Sequence, residues 1–460
     1  MKENKGCGLK EGIKYYSTNL KAPEVTFREA LMKGIAPDGG LYMPRDIPDL
    51  SRKELESYAD MKYHEIAFNF LRKFLSDEIE DNDLQSLCRD AYNFKVPLEP
   101  VTDRSYILRL DQGPTASFKD FAARMMARLM NHFTASEKKH YTILMATSGD
   151  TGSAVASAFH GLENIEVVIL FPLEEVSDTQ RKQMTTLKGN VRVIAVKGKF
   201  DDCQRIVKKA FLDNSLSDLS LTSANSINIG RLLPQSVYYI FAWSRAGCLP
   251  VVFSVPSGNY GNLMGGIIVR EAGLPVKRFV IAANENNEVP EYLKTGIYNI
   301  ISPSLNCISS AMNVGHPSNL ARIITLYGGI MNEAGTILSS PDIKRMRKDF
   351  YGISISDEIT RETISSCYTK YGVLLEPHGA VAWKGLEQYR IEELSADNKG
   401  CVYISLETAH PAKFPDEIMR ILNFTPSSHP SFENLEKLEE DYTVMENDYN
   451  LFTRYILKHY

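Results

Sequence analysis

Val251-Val252-Phe253-Ser254-Val255-Pro256-Ser257-Gly258-Asn259-Tyr260-Gly261-Asn262 reads as a strand that breaks into a glycine-bearing loop and opens the helical stretch Leu263–Arg270. A short run of Val and Phe without polar alternation suits a strand buried on both faces. The pattern recurs at Tyr141–Ala146, Ile165–Phe171, Val191–Val196, Arg278–Ala282 and Cys401–Leu406. Helical stretches lie between, among them Ser153–Phe159 and Phe121–Phe133, where Phe121, Met125, Leu129 and Phe133 fall at a spacing of four. Strands alternating with helices predict a parallel sheet covered by helices, so the fold class is α/β.

The first hundred residues differ. Turn chemistry at Pro37-Asp38-Gly39-Gly40 and Pro44 gives way to charged helical stretches from Ser51 to Tyr92, and Pro97 and Pro100 end the pattern. A boundary near Pro97 follows. The acidic stretch Glu433–Asp448 reads as a solvated helical tail.

The whole chain has 460 residues, 43% hydrophobic and 24% charged, enough for about three domains with their own cores. A net charge of −5 gives no general attraction to phosphate backbones or anionic lipid, so neither nucleic acid nor a membrane is the expected partner. Apolar runs such as Val167–Phe171 fall far short of a membrane span. Seven scattered cysteines with no C-x-x-C pair predict reduced thiols and no metal site. Met1–Tyr16 lacks the apolar core of an export signal, and a cytoplasmic location is expected.

Function is expected where strands end in loops that open helices. In Pro256–Asn262 the glycines let backbone close around a ligand, and the helix start offers free N–H groups to a phosphate; an ordinary strand-to-helix turn reads equally well from this loop alone. Thr147-Ser148-Gly149-Asp150-Thr151-Gly152 could hold a small anion such as a carboxylate, or simply cap its helix through Ser148 or Asp150. In Gly113-Pro114-Thr115-Ala116-Ser117-Phe118-Lys119-Asp120, Ser117 can cap the next helix and place Lys119 in its first turn. A cation is disfavoured there, which favours the neutral amine that a Schiff base with an aldehyde requires. Together, such a lysine and a phosphate loop specify pyridoxal phosphate. Asn225-Ser226-Ile227-Asn228-Ile229-Gly230-Arg231 offers amides, a hydroxyl and a guanidinium to a doubly charged oxyanion, though a capped helix with a surface Arg fits too. Thr408 puts a neutral hydroxyl at the end of Cys401–Leu406, and His410 reads as a turn histidine.

In order and spacing, Gly40-Leu41 with Pro44, Gly113–Phe121, Thr147–Gly152, Ser223–Asn228 with Arg231, Val255–Asn262, Glu376-Pro377-His378 and Thr408–Phe414 closely resemble the threonine synthase family of fold-type-II pyridoxal-phosphate enzymes. The resemblance runs from about Tyr16 to Leu422. It implies an N-terminal, mostly helical domain over 1–97, a catalytic core over 98–424 made of two α/β lobes with the smaller at about 115–240, and a helical tail over 425–460. It implies that Lys119 forms the Schiff base, that Gly258, Asn259, Tyr260 and Asn262 hold the cofactor phosphate, and that Thr408 faces the pyridine nitrogen. Ser148, Asp150 and Thr151 would receive the substrate carboxylate, and Asn225, Ser226 and Arg231 its phosphate. The implied reaction turns O-phospho-L-homoserine and water into L-threonine and phosphate, in a monomer or homodimer. A phospho-lyase releasing a 2-oxo acid and a non-catalytic binding protein are the alternatives.

Overall fold

A computed structural model describes residues 12–135, 139–392 and 400–459. Two sheets organise them. The larger has the strand order Phe350–Ser354, Val276–Ala283, Val251–Pro256, Val402–Glu407, Ser105–Arg109, Leu98–Thr102, all parallel but for the last, which runs antiparallel to its neighbour. The smaller is fully parallel, in the order Thr443–Glu446, Val191–Lys197, Ile165–Pro172, Tyr141–Ala146, Leu221–Thr222. The class is α/β as expected. The unalternating apolar runs follow from burial on both faces: Val251, Val252, Phe253 and Val255 are all buried, as are Val167 to Phe171.

The helix Lys119–Thr134 lies between the helices Asp150–Phe159 and Ile229–Arg245. It buries Phe121, Met125, Leu129 and Phe133 and also Ala122, Met126 and Met130, so its apolar face is broader than one stripe. The N-terminal region carries helices Phe27–Lys33, Arg52–Ser57, Tyr63–Leu75 and Asp81–Ala91. The second half of its long helix, Tyr63–Leu75, buries Phe70, Leu71 and Phe74, and the Tyr63 ring meets Tyr92, Phe121 and Phe241. The turn read at Pro37–Gly40 works through Asp38, whose carboxylate accepts from the Ser17 hydroxyl at 2.6 Å and from the N–H groups of Lys21, Ala22 and Gly40.

The expected helical tail is corrected in part. Residues 425–460 include a helix, Tyr449–His459, but Thr443–Glu446 is an edge strand paired with Val191–Lys197. The acidic residues are not simply solvated: Glu440 pairs with Arg181 at 2.9 Å, Glu439 with Lys188 at 2.9 Å, Glu446 with Lys197 at 2.6 Å, and Glu436 with Lys182. These pairs line the segment up along the small lobe but lie largely at the surface, where each contributes little. Met445, Phe452 and Ile456 are then buried in that lobe's core. Truncation after Asp441 removes all three and bares the Val191–Lys197 edge. At about 1.5–3 kcal/mol per buried side chain it is expected to cost about 5–9 kcal/mol, read as a lower denaturant midpoint.

Candidate active site

Lys119 is the first residue of its helix, and the residue before it serves as the N-cap. Ser117 is not the cap: its hydroxyl is buried without a partner, because the segment 116–118 is spent on pairing with 408–410. Phe118 N–H donates to Thr408 O at 2.9 Å and His410 N–H to Ala116 O at 3.0 Å. Asp120 closes the preceding turn, accepting from Thr115 N–H at 2.8 Å and from its hydroxyl at 2.6 Å. The lysine and Thr408 are thus held together by backbone bonds between two loops at strand ends. His410 is a turn histidine, as read: its Nδ1 accepts from Ala412 N–H at 3.1 Å. Burial lowers the Lys119 amine below the usual lysine range, with Lys413 and Arg231 acting in the same direction and Asp150 opposing. Burial is the largest of these causes.

The loop 147–152 is capped by neither Ser148 nor Asp150. Thr147 Oγ1 accepts from Gly149 N–H at 3.0 Å and Gly152 N–H at 2.8 Å. Gly149 has φ of 129°, and a Cβ there would lie 2.5 Å from the Gln180 side chain. Ser148 is exposed and Thr151 half-buried. The expectation for Asp150 changes. Its Oδ1 meets Lys413 Nζ at 2.9 Å and Gln180 Nε2 at 2.9 Å, while Oδ2 faces Lys119 Nζ at 3.4 Å. An acceptor already taken by two lysines and an amide is not a seat for another carboxylate.

At the loop 256–262 the helix Gly261–Glu271 begins with Tyr260 as its N-cap, at a left-handed φ of 62°. Among the described residues the N–H groups from Gly258 to Gly261 have no acceptor. The Tyr260 ring is buried, so its backbone is what it offers. The Asn259 side chain is already spent, donating to Ser226 Oγ at 2.5 Å and accepting from Ser318 N–H at 2.6 Å. Asn262 Oδ1 accepts from Tyr238 and Tyr239 hydroxyls at 2.6 and 2.7 Å, leaving its Nδ2 buried with no partner. Across the Asn259–Ser226 bond lies the second oxyanion loop. Arg231 is buried, donates from Nη1 to Ala224 O at 2.7 Å, and has an unpartnered Nε. Desolvation lowers it to about 10.

Behind Thr408, Glu407, Glu376 and Asp111 are buried beside a partly exposed Arg109. Burial and the Glu376 charge push the Glu407 carboxyl well above its usual range, against the pull of Arg109. Burial pushes Asp111 up to about 6. His378 Nε2 accepts from Ala311 N–H at 3.0 Å, so its Nδ1 carries the proton given to Glu376 at 2.5 Å.

Comparison with known proteins bears on this arrangement. Family models match three stretches: "Threonine synthase N terminus" over 14–92, "Pyridoxal-phosphate dependent enzyme" over 96–405 and "Threonine synthase, C-terminal" over 380–456. Threonine synthase from Haemophilus influenzae is 39% identical over 455 residues, covering 96% of this chain and 99% of that protein. The chain belongs to the threonine synthase family. The Escherichia coli enzyme is 38% identical over 422 residues, covering 90% of this chain and 92% of that protein. A pyridoxal-phosphate-bound threonine synthase from Brucella melitensis superposes with a TM-score of 0.90 at 33% identity, covering 97% of this chain and 99% of that one. The yeast enzyme gives 0.87 at 30% identity, covering 97% and 98%.

The residues present fit pyridoxal phosphate. The orphaned Asn262 Nδ2 and the free N–H groups from Gly258 suit its phosphate, and Lys119 its aldehyde. Of the residues singled out from sequence, Lys119, Asp150, Thr408 and the loops at 225–231 and 258–262 converge. Those missed are Lys413, Gln180, Tyr238, Tyr239 and Arg322, which bind across long stretches of chain. Arg322 is fully buried and donates to the carbonyls of Tyr42, Ser226 and Ile227, tying the second oxyanion loop to the N-terminal region. A Cβ on Gly258 would lie 2.8 Å from Ala311 O and 2.9 Å from Met312 Cα. Gly258→Ala should therefore weaken pyridoxal phosphate binding by about 1–3 kcal/mol with the fold retained, as measured by cofactor titration beside circular dichroism.

Proposed function

We propose that this chain converts O-phospho-L-homoserine and water to L-threonine and inorganic phosphate, with Lys119 as the residue that carries the cofactor and moves protons. The observation that carries the reading is the pairing of two anion sites whose donors are left with free N–H groups, one on Gly258–Asn262 and one on Arg231, around the Lys119 amine. One phosphate site suffices for the cofactor. The second calls for a substrate with a phosphate of its own.

Bound pyridoxal phosphate supplies an electron sink that makes protons beside the substrate amine removable. Lys119, less basic than an ordinary lysine, is suited to take such a proton and return it. Ser148 and Thr151 receive the substrate carboxylate, while Asp150 is reassigned to holding Lys119 and Lys413. Arg231, with Asn225 and Ser226, grips the substrate phosphate as it departs. Thr408 stands at the pyridine nitrogen as a neutral group. We assign the enzyme to the cytoplasm, as a monomer or homodimer with no nucleic-acid partner. Among the described residues no helix is long and apolar enough to cross a membrane.

The test is product identification with O-phospho-L-homoserine: threonine and phosphate in equal amounts are expected, and 2-oxobutanoate in place of threonine would move the chain to the phospho-lyases. Lys119→Ala should fold and lose turnover and the cofactor's absorbance band. Arg231→Lys keeps a charge but not the planar fork, so it should weaken phosphohomoserine use by about 1.5–3 kcal/mol in kcat/KM while cofactor retention on dialysis stays unchanged. Loss of cofactor with normal saturation by substrate would move Arg231 to the cofactor's own phosphate.

A further inference from the structure

Lys413 is a wholly buried lysine that the reaction as derived leaves without a part. It ends the short turn Pro411–Lys413, where its N–H donates to His410 O at 3.0 Å, so its backbone is fixed to the same loop as Thr408. An ammonium without solvent is costly unless an anion meets it. Asp150 meets it at 2.9 Å, and the same carboxylate is 3.4 Å from Lys119. One carboxylate thus serves two lysines, and the nearer is not the one that reacts.

We propose that Lys413 is a positioning residue for Lys119: as the resident counter-ion of Asp150, it keeps that carboxylate from holding the Lys119 amine as a full ion pair. This rests on the reading of Lys119 as the cofactor lysine and states how its amine is set free. The groups facing Lys119 are Asp150 from the helix Asp150–Phe159, Lys413 from its turn, and Arg231 from the helix Ile229–Arg245. Gln180 from the helix Asp178–Thr185 supports Asp150, and Asp120, facing Lys413 and Arg231, is spent on Thr115. One anion therefore stands against two cations around the amine. Without Lys413 the balance is one to one, and the whole Asp150 charge falls on Lys119.

Two pH midpoints read this out: that of the bound cofactor's absorbance band in the holoenzyme, and that of Lys119 acylation in cofactor-free protein, followed peptide by peptide by mass. Lys413→Met should raise both by about one to three pH units, whereas Lys413→Arg should leave them near wild type. In an Asp150→Asn background the same Lys413→Met change should move the midpoints far less, because Lys413 acts through that carboxylate. No shift on Lys413→Met, or an equal shift with and without Asp150, would overturn the proposal. Lys413→Gln is the second neutral variant should the methionine fail to fold; failure of both, and of the doubly neutral protein, would overturn it in favour of a purely structural role. Borohydride trapping with pyridoxal phosphate separates the two readings. If no pyridoxyl mass lands on Lys119 while the acylation midpoints shift as expected, the lysine network stands and the cofactor assignment falls.

Discussion

The site rests on buried positive charge in excess of buried negative charge. Lys413, Arg231 and Arg322 are withdrawn from water and Lys119 is largely so, and the carboxylates among them are Asp150, shared by two lysines, and Asp120, spent on Thr115. Desolvation shows in the guanidiniums, lowered to about 10 for Arg231 and about 9 for Arg322. Such a surplus is unfavourable in isolation and becomes favourable when anions enter, which is the condition for a preorganised site. It also explains the carbonyls turned on Arg322 from Tyr42, Ser226 and Ile227. Because Tyr42 lies in the N-terminal region, folding that region onto the core and holding the oxyanion loop are one requirement.

Rigidity at the reacting centre comes from backbone pairing between loops. The bonds from Phe118 to Thr408 and from His410 to Ala116 extend a strand-like contact beyond the sheet, so Lys119 and Thr408 cannot shift independently. At the other end, His378 braces the turn at Ala311 from its bond with Glu376, and that turn lies against Gly258. The amine, the hydroxyl and the phosphate loop are therefore carried on one hydrogen-bonded frame.

The fold was legible where burial makes the sequence simple. Val251–Val255 and Ile165–Phe171 lie on strands because both faces are covered, and the loops after Val251–Val255 and Tyr141–Ala146 bear the expected glycines. Thr443–Glu446 was not legible: four residues with an exposed Val and Glu, on a strand defined by its partner Val191–Lys197 and by ion pairs from lysines and an arginine far earlier in the chain. Local capping signals misled for a related reason. Ser117 has the chemistry of a cap, yet pairing with Ala409 sets its backbone; Thr147, inside the strand-to-helix loop, takes the role read for Ser148 or Asp150. The Lys119 turn and both anion loops carry short-range signatures, but the pair that tunes the lysine joins residues 263 apart, and no window of sequence contains it.

The carboxyl cluster behind Thr408 completes the electrostatic pattern. A charged acid next to the proposed pyridine-nitrogen position would hold a proton on that nitrogen, and three acids lie behind Thr408. Glu407, the residue that carries the chain into Thr408, is instead pushed toward its neutral form by burial and by Glu376. Glu376 is turned to His378 and to the N–H groups of His378 and Gly379, and Arg109 lies beside Glu407 at 3.5 Å. Glu407 is thus biased away from its charged form and is followed by a neutral hydroxyl, whereas Lys119, Lys413 and Arg231 gather positive charge around Asp150. In the proposed reaction, negative charge developing in the substrate would be stabilised by those cations more than at the ring nitrogen, where Thr408 would offer a neutral hydroxyl. In that reaction Lys119 and Arg231 meet the substrate themselves, and Lys413 and the buried acids shape that polarity from behind them.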